Sequence, residues 1–138
     1  MEPKQPRLDH HAAIWAALAA KVPEHVVVTS VDAGLDPTRT PVSIVTEPTT
    51  RAATEFTRGV FDVTFTLMTY AGTEAEARRV HNEVADAVLE LVDIEHEGVR
   101  ARMSKVVCTL EPSAIPSTAA PEWPGVMSSY TTYIRTWR

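Results

Sequence analysis

The strongest constraint on folding lies in residues 61–91, FDVTFTLMTYAGTEAEARRVHNEVADAVLEL. Phe61, Val63, Phe65 and Leu67 alternate with Asp62, Thr64, Thr66 and Met68. Successive side chains of a strand point to opposite faces of its sheet, so this alternation reads as a half-buried strand. Gly72 breaks it, and Thr73 and Glu76 then form a T-x-x-E capping box that opens a helix. Ala77, Val80, Val84, Val88, Leu91 and Val92 recur at helical spacing. They cover an arc of roughly 160°, wide enough to lie flat on a sheet. A strand that turns directly into such a helix demands a sheet with a helix against it.

The rest of the chain extends this plan. Asp9 is a suitable N-cap for a first helix over 10–22, with Ile14, Trp15, Leu18 and Val22 on one side and Pro23 as its stop. HVVVTSV (25–31) and VSIVT (42–46) read as strands, separated by the turn-rich 32–41. Residues 47–59, rich in Thr and without a period, read as a long hairpin loop, its base able to extend the flanking strands. VRARM (99–103) alternates with Arg100 and Arg102 outward, and the pattern shifts phase near Ser104–Lys105, a bulge or bend before the continuing strand 105–111. Residues 112–125 hold four prolines and read as a rigid loop, and 126–138 as a final strand. The predicted order is helix, two or three strands, helix, two strands. The predicted fold class is α+β: a mainly antiparallel sheet with two principal helices packed on one face, plus a long hairpin loop. The 138 residues suit one domain, with 1–7 a flexible arm.

Chemistry is hard to find in this sequence. His10 and His11 are adjacent and point about 100° apart on a helix, so they do not share a metal easily. There is no H-x-x-x-H, and the single cysteine, Cys108, excludes a zinc knuckle and an internal disulfide. His81 falls within the apolar arc of the second helix and reads as a core histidine with one hydrogen bond. Cys108 sits in an apolar run and reads as a buried, inert thiol. There is no nucleophile elbow, P-loop or G-x-G-x-x-G. The glycine before the second helix would make a generic anion site, but Glu74 and Glu76 occupy that turn. No catalytic residue, cofactor or metal is expected, and no enzyme. No apolar run is long enough for a bilayer, and the N-terminus has no signal-peptide core.

Charge is the informative signal. The formal net charge of -5 disfavours general nucleic-acid binding. Acids concentrate in 74–97, where Glu83, Asp86, Glu90 and Asp93 are expected to share the helix face opposite the apolar arc. A solvated outer face explains that pattern; a face that lines something negative, or meets a basic neighbour, explains it too. Basic residues gather elsewhere: Arg51 and Arg58 in the long loop, Arg100 and Arg102 on one strand, Arg135 and Arg138 at the end. Opposite charges on separate surfaces suit a head-to-tail, ring-forming contact.

The strand–helix run, followed by GVRARMSKVVCTLEPSAIPS, a proline-rich connector and MSSYTTYIRTWR, resembles the tail terminator proteins of long-tailed, siphovirus-type bacteriophages. AAIWAALAAKVPEHVVV agrees as well, so the resemblance runs from about Leu8 to the end. It rests on order, length and texture, since that family has no invariant catalytic motif. The Ala, Thr, Arg and Pro usage is similar to phages of high-GC actinobacteria. The resemblance implies a structural virion protein, with an α+β fold. It would form a hexameric ring at the head-proximal end of the tail tube, end tube polymerisation and join the tail to the head-side connector or stopper protein. DNA would be only passing cargo in the lumen, and assembly would occur in the host cytoplasm, without a membrane. In that setting the loop with Arg51 and Arg58 contacts the tube or lumen, and the arm 1–7 and tail 135–138 order on assembly. Two alternatives stay open: another head–tail connector component, such as a head-completion or stopper protein, and a small ligand-binding α+β domain.

Overall fold

The computed structural model describes residues 8–30, 34–52, 60–115 and 123–137. The expected arm 1–7, the loop tip with Arg58, most of the proline-rich connector and Arg138 lie outside the described residues. The elements are α1 (His10–Lys21), β1 (Val26–Val28), β2 (Val42–Val45), β3 (Thr49–Ala52), β4 (Val60–Tyr70), α2 (Glu74–Leu89), β5 (Asp93–His96), β6 (Val99–Met103), β7 (Val107–Ala114) and β8 (Gly125–Trp137). One sheet runs β1-β2-β4-β8-β6-β5, with β3 also on β4 and β7 also on β8. All pairings are antiparallel except β1 with β2. The class is α+β, with a curled sheet.

Both helices start on their own chemistry. The Asp9 carboxylate accepts from the Ala12 amide, and the Thr73 hydroxyl from the Glu76 amide. These caps satisfy amides that have no partner within the helix. The helix α1 contacts β1 at one margin of the sheet and β5 at the other. Trp15 Nε1 donates to the Val27 carbonyl at 2.7 Å, and His11 Nε2 to the Val45 carbonyl at 2.6 Å. Two backbone acceptors of β1 and β2 are thereby capped by side chains of α1.

The sheet is organised by two long strands. β4, with 11 residues, pairs β8 from Val60↔Arg135 to Tyr70↔Gly125. Each has more length than one neighbour covers, so two shorter strands follow one another along each flank. β2 and β3 line β4, while β6 and β7 line β8. Each flank breaks where its chain passes from one short strand to the next, and a hydroxyl side chain repairs each break. Thr46 N donates to the Thr66 carbonyl at 2.9 Å, and Thr66 N to Thr46 Oγ1 at 3.0 Å. Ser104 N donates to the Tyr133 carbonyl at 2.8 Å, and Tyr133 N to Ser104 Oγ at 2.9 Å. The second repair stands at the phase shift expected near Ser104–Lys105.

The inner face carries the core. Val63, Phe65, Leu67, Tyr130 and Ile134 are buried with Ile14 and Leu18 of α1 and Val80, Val84 and Val88 of α2. Burying a side chain of this size is worth about 1.5–3 kcal/mol, so this cluster dominates stability. Phe65 and Tyr130 are cross-strand partners with ring centroids 5.6 Å apart.

Several expectations are corrected. Strand Thr49–Ala52 occupies part of the expected loop 47–59, because its β-branched threonines pair with the extended start of β4. Pro112 lies inside β7 and not in a loop; the register of β7 shifts on both sides of Leu110, and a bulged edge tolerates a residue without an amide hydrogen. The hairpin β5–β6 was not expected. Its turn is Glu97–Gly98, both at positive φ (51° and 81°), as a two-residue hairpin of type I′ requires. Helix α2 ends at Leu89, so Val92 leaves the apolar arc and is exposed. Gly125 has its own reason: a Cβ there would meet Ile115 Cδ1 at 2.7 Å and the Tyr70 ring at 2.8 Å.

Candidate interaction surface

The outer face of the β4–β8 ladder is built from the residues that alternate with the core. Asp62, Thr64, Thr66 and Met68 of β4 stand opposite Tyr133, Thr131, Ser129 and Met127 of β8. Its hydroxyls pair across the strands: Thr66 with Ser129 at 2.9 Å and Thr64 with Thr131 at 3.4 Å. At one end the face continues onto β6 and β5, where Arg102 stands between Arg135 of β8 and Asp93 of β5. Arg100 follows on the same side, with its Nε 3.7 Å from the Glu95 carboxylate. A shallow depression here is lined by Val60, Arg102, Met103, Ser104, Tyr133 and Arg135. Tyr133 is 54% exposed, and Val107 nearby is 51% exposed.

The arginines expected at interfaces separate into two kinds. Arg51 pairs with Asp62 at 3.1 Å, and Arg100 with Glu95. Arg102 and Arg135 are directly opposite in register, both exposed, and neither forms an ion pair among the described residues. Adjacent like charges on a sheet repel.

The acids divide differently from the expectation. Glu83, Asp86 and Glu90 are on the exposed side of α2 and its C-cap. Asp93 is a correction: the helix has ended, and its side chain belongs to β5, opposite Arg102. Glu83 bonds His25 at 2.6 Å and lies 3.7 Å from Arg79; Glu90 reaches Lys21 at 3.9 Å. Asp86 forms no ion pair among the described residues.

A second polar group lies inside. Ser43, Thr69, His81, Ser128 and Tyr130 are all buried. They form one hydrogen-bonded chain: Ser43 Oγ to Thr69 Oγ1 (2.9 Å), Thr69 Oγ1 to His81 Nδ1 (2.9 Å), His81 Nε2 to Ser128 Oγ (2.7 Å) and Ser128 Oγ to the Tyr130 hydroxyl (2.6 Å). Burial, with a smaller push from Arg78, lowers the His81 pKa to about 4. Burial likewise pushes the Tyr130 hydroxyl up to about 12. Both are neutral near pH 7. His81 therefore makes two hydrogen bonds where the sequence predicts one, and ties α2 to β4 and β8. The hydrogen bonds run unbroken from Ser43 to Tyr130, which suits a structural tie between α2 and the sheet.

The remaining candidates are dispersed. The His10 ring packs edge-on to Phe61 at 5.2 Å, and His11 bonds Val45, so the adjacent pair diverges. Cys108 is half-buried, less than expected, and donates to the Leu110 carbonyl at 3.2 Å. Burial, helped by Glu111, pushes its thiol up. Among the described residues no cluster of His, Cys, Asp and Glu could hold a metal, and no helix is long and apolar enough to cross a membrane. Sequence reasoning missed Tyr133, Ser104 and Asp62 on the outer face. The odd–even alternation of 126–137 about the buried Tyr130 was the signal that places Tyr133 outward. No family model matches the chain, and no curated protein matches it.

Proposed function

We propose that this protein is a structural ring subunit at the head-proximal end of a phage tail tube, where it ends tube growth and joins the tail to the head-side connector. The observation that supports this reading most is the character of the outer face. It is polar, half-exposed and set on two long paired strands, with the exposed Tyr133 and two adjacent arginines that form no ion pair among the described residues at one end. A broad face of this kind suits contact with another protein; small molecules are usually held in concave, mostly apolar sites. In this reading both helices stand behind the sheet, Arg51 and the segment expected as a loop over 47–59 reach a neighbour, and six copies close the ring. The tail tube protein binds one side of the ring and the connector protein the other. DNA crosses the lumen without a dedicated site.

The test mixes the purified chain with polymerising tail-tube protein. Tube length, seen by negative stain, and mass in solution are the readouts. Short tubes of uniform length with a ring at one end are the expected outcome. Tubes that grow as long as without the chain, with no bound ring, would reject the proposal.

A further inference from the structure

We infer that Arg102, Arg135 and Tyr133 form one half of a head-to-tail contact, and that the other half is the exposed side of α2, Asp86 and Glu90, on a second copy of this chain. Three observations carry the inference, which rests on the ring reading above.

First, each half holds a pair of like charges that its own subunit compensates only in part. Arg102 and Arg135 are direct cross-strand neighbours with no ion pair among the described residues, although Asp93 stands opposite Arg102 on its other side. Asp86 and Glu90 are one helical turn apart, and only Glu90 reaches a cation, Lys21 at 3.9 Å. Either arrangement disfavours the isolated subunit. Second, the two pairs match in spacing. Direct cross-strand neighbours have Cβ atoms about 5 Å apart, and i,i+4 helix neighbours about 5–6 Å. Two guanidinium groups therefore face two carboxylates, and a guanidinium can engage a carboxylate with two parallel hydrogen bonds. Third, the halves lie on opposite sides of the sheet. His81 of α2 bonds Thr69 and Ser128 of the inner rows, whereas Arg135 and Tyr133 belong to the outer row. One molecule cannot join its own halves. A contact between different surfaces is heterologous, and repetition gives a ring or a filament. Tyr133, two positions before Arg135 on the same row of β8, supplies exposed apolar area next to the basic pair, and Tyr and Arg are residue types enriched at interface hot spots.

The test is a charge swap. Arg102→Glu/Arg135→Glu and Asp86→Arg/Glu90→Arg are each compared with the fourfold variant that carries both. Assembly is followed by sedimentation velocity and negative stain, with and without tube protein, and folding by circular dichroism. Each double reversal is expected to weaken assembly at least tenfold, and the fourfold variant to recover most of it. A double reversal that assembles like wild type, or a fourfold variant no better than the doubles, overturns the inference while the ring reading stands. A wild-type chain that stays monomeric alone and with tube protein overturns both. Should a reversal fail to fold, the neutral pair Arg102→Gln/Arg135→Gln replaces it. Wild-type assembly should also weaken as salt rises, with a shallower salt dependence in the Gln pair; an equal dependence would reject the contact.

Discussion

The inner and outer faces of the β4–β8 ladder share backbone, register and length, yet they use polar side chains in opposite ways. Inside, Ser43, Thr69, Ser128 and Tyr130 converge on His81, so every polar group in the chain depends on its neighbours. Outside, Thr66–Ser129 and Thr64–Thr131 are separate pairs in reach of water. Low dielectric inside makes an unpaired group expensive, so a buried polar chain must be complete. Water outside substitutes for any partner, so the outer face carries charged side chains without needing a complete set of protein partners. The difference assigns stability to the inner face and leaves the outer face available for the contact proposed above.

The most direct way to break that division is to truncate neighbours on the two faces. Phe65→Ala removes a buried ring and is expected to cost about 3–5 kcal/mol. Thr64→Ala, on the exposed side, should cost less than about 1 kcal/mol. Urea denaturation at pH 7 measures both, and similar losses would refute the division.

His81→Ala comes next, with an expected cost of roughly 2–4 kcal/mol at pH 7 from lost packing and two lost hydrogen bonds. Its pH dependence sharpens the point. The native imidazole has its pKa lowered from 6.5 to about 4, so an unfolded chain takes up a proton that the native one refuses. The stabilising contribution is full above pH 6.5 and declines as pH falls toward 4, by roughly 3 kcal/mol in all. Burial lowers the His10 pKa as well and adds to the slope in the same direction. The gap between wild type and His81→Ala should therefore narrow between pH 6.5 and 4. A constant gap would mean that His81 is not held neutral.

The smallest effects concern the two strand breaks. Ser104→Ala and Thr46→Val each remove the hydroxyl that accepts an amide of the long strands, at about 1 kcal/mol each. Amide hydrogen exchange at Tyr133 and Thr66 should accelerate in the matching variant, with the other break unaffected. Unchanged exchange would show that water serves these amides as well as the side chains do.

Much of the molecule was legible before folding. The period of two over Phe61–Met68, the Thr73–Glu76 cap and the arc from Ala77 to Leu91 follow from nearest-neighbour geometry, and the strand and helix stand where those patterns place them. Asp9 capped α1 for the same reason. What failed to show was short or depended on a partner. Asp93–His96 alternates over only four residues and looked like the acidic tail of a helix; pairing with Val99–Arg102 across the Glu97–Gly98 turn makes it a strand. Thr49–Ala52 had no apolar period, since its strand character comes from β4 beside it.

By itself, then, the sequence determined which faces are apolar, where both helices begin and where the phase of the chain shifts, because these depend on residues a few positions apart. Only the tertiary structure decided that His81 has two buried partners, that Asp93 sits across from Arg102, and that Arg102 and Arg135 stand side by side. Those pairings join residues from nine to 47 positions apart, beyond the reach of a local pattern, and strand register and helix packing select them.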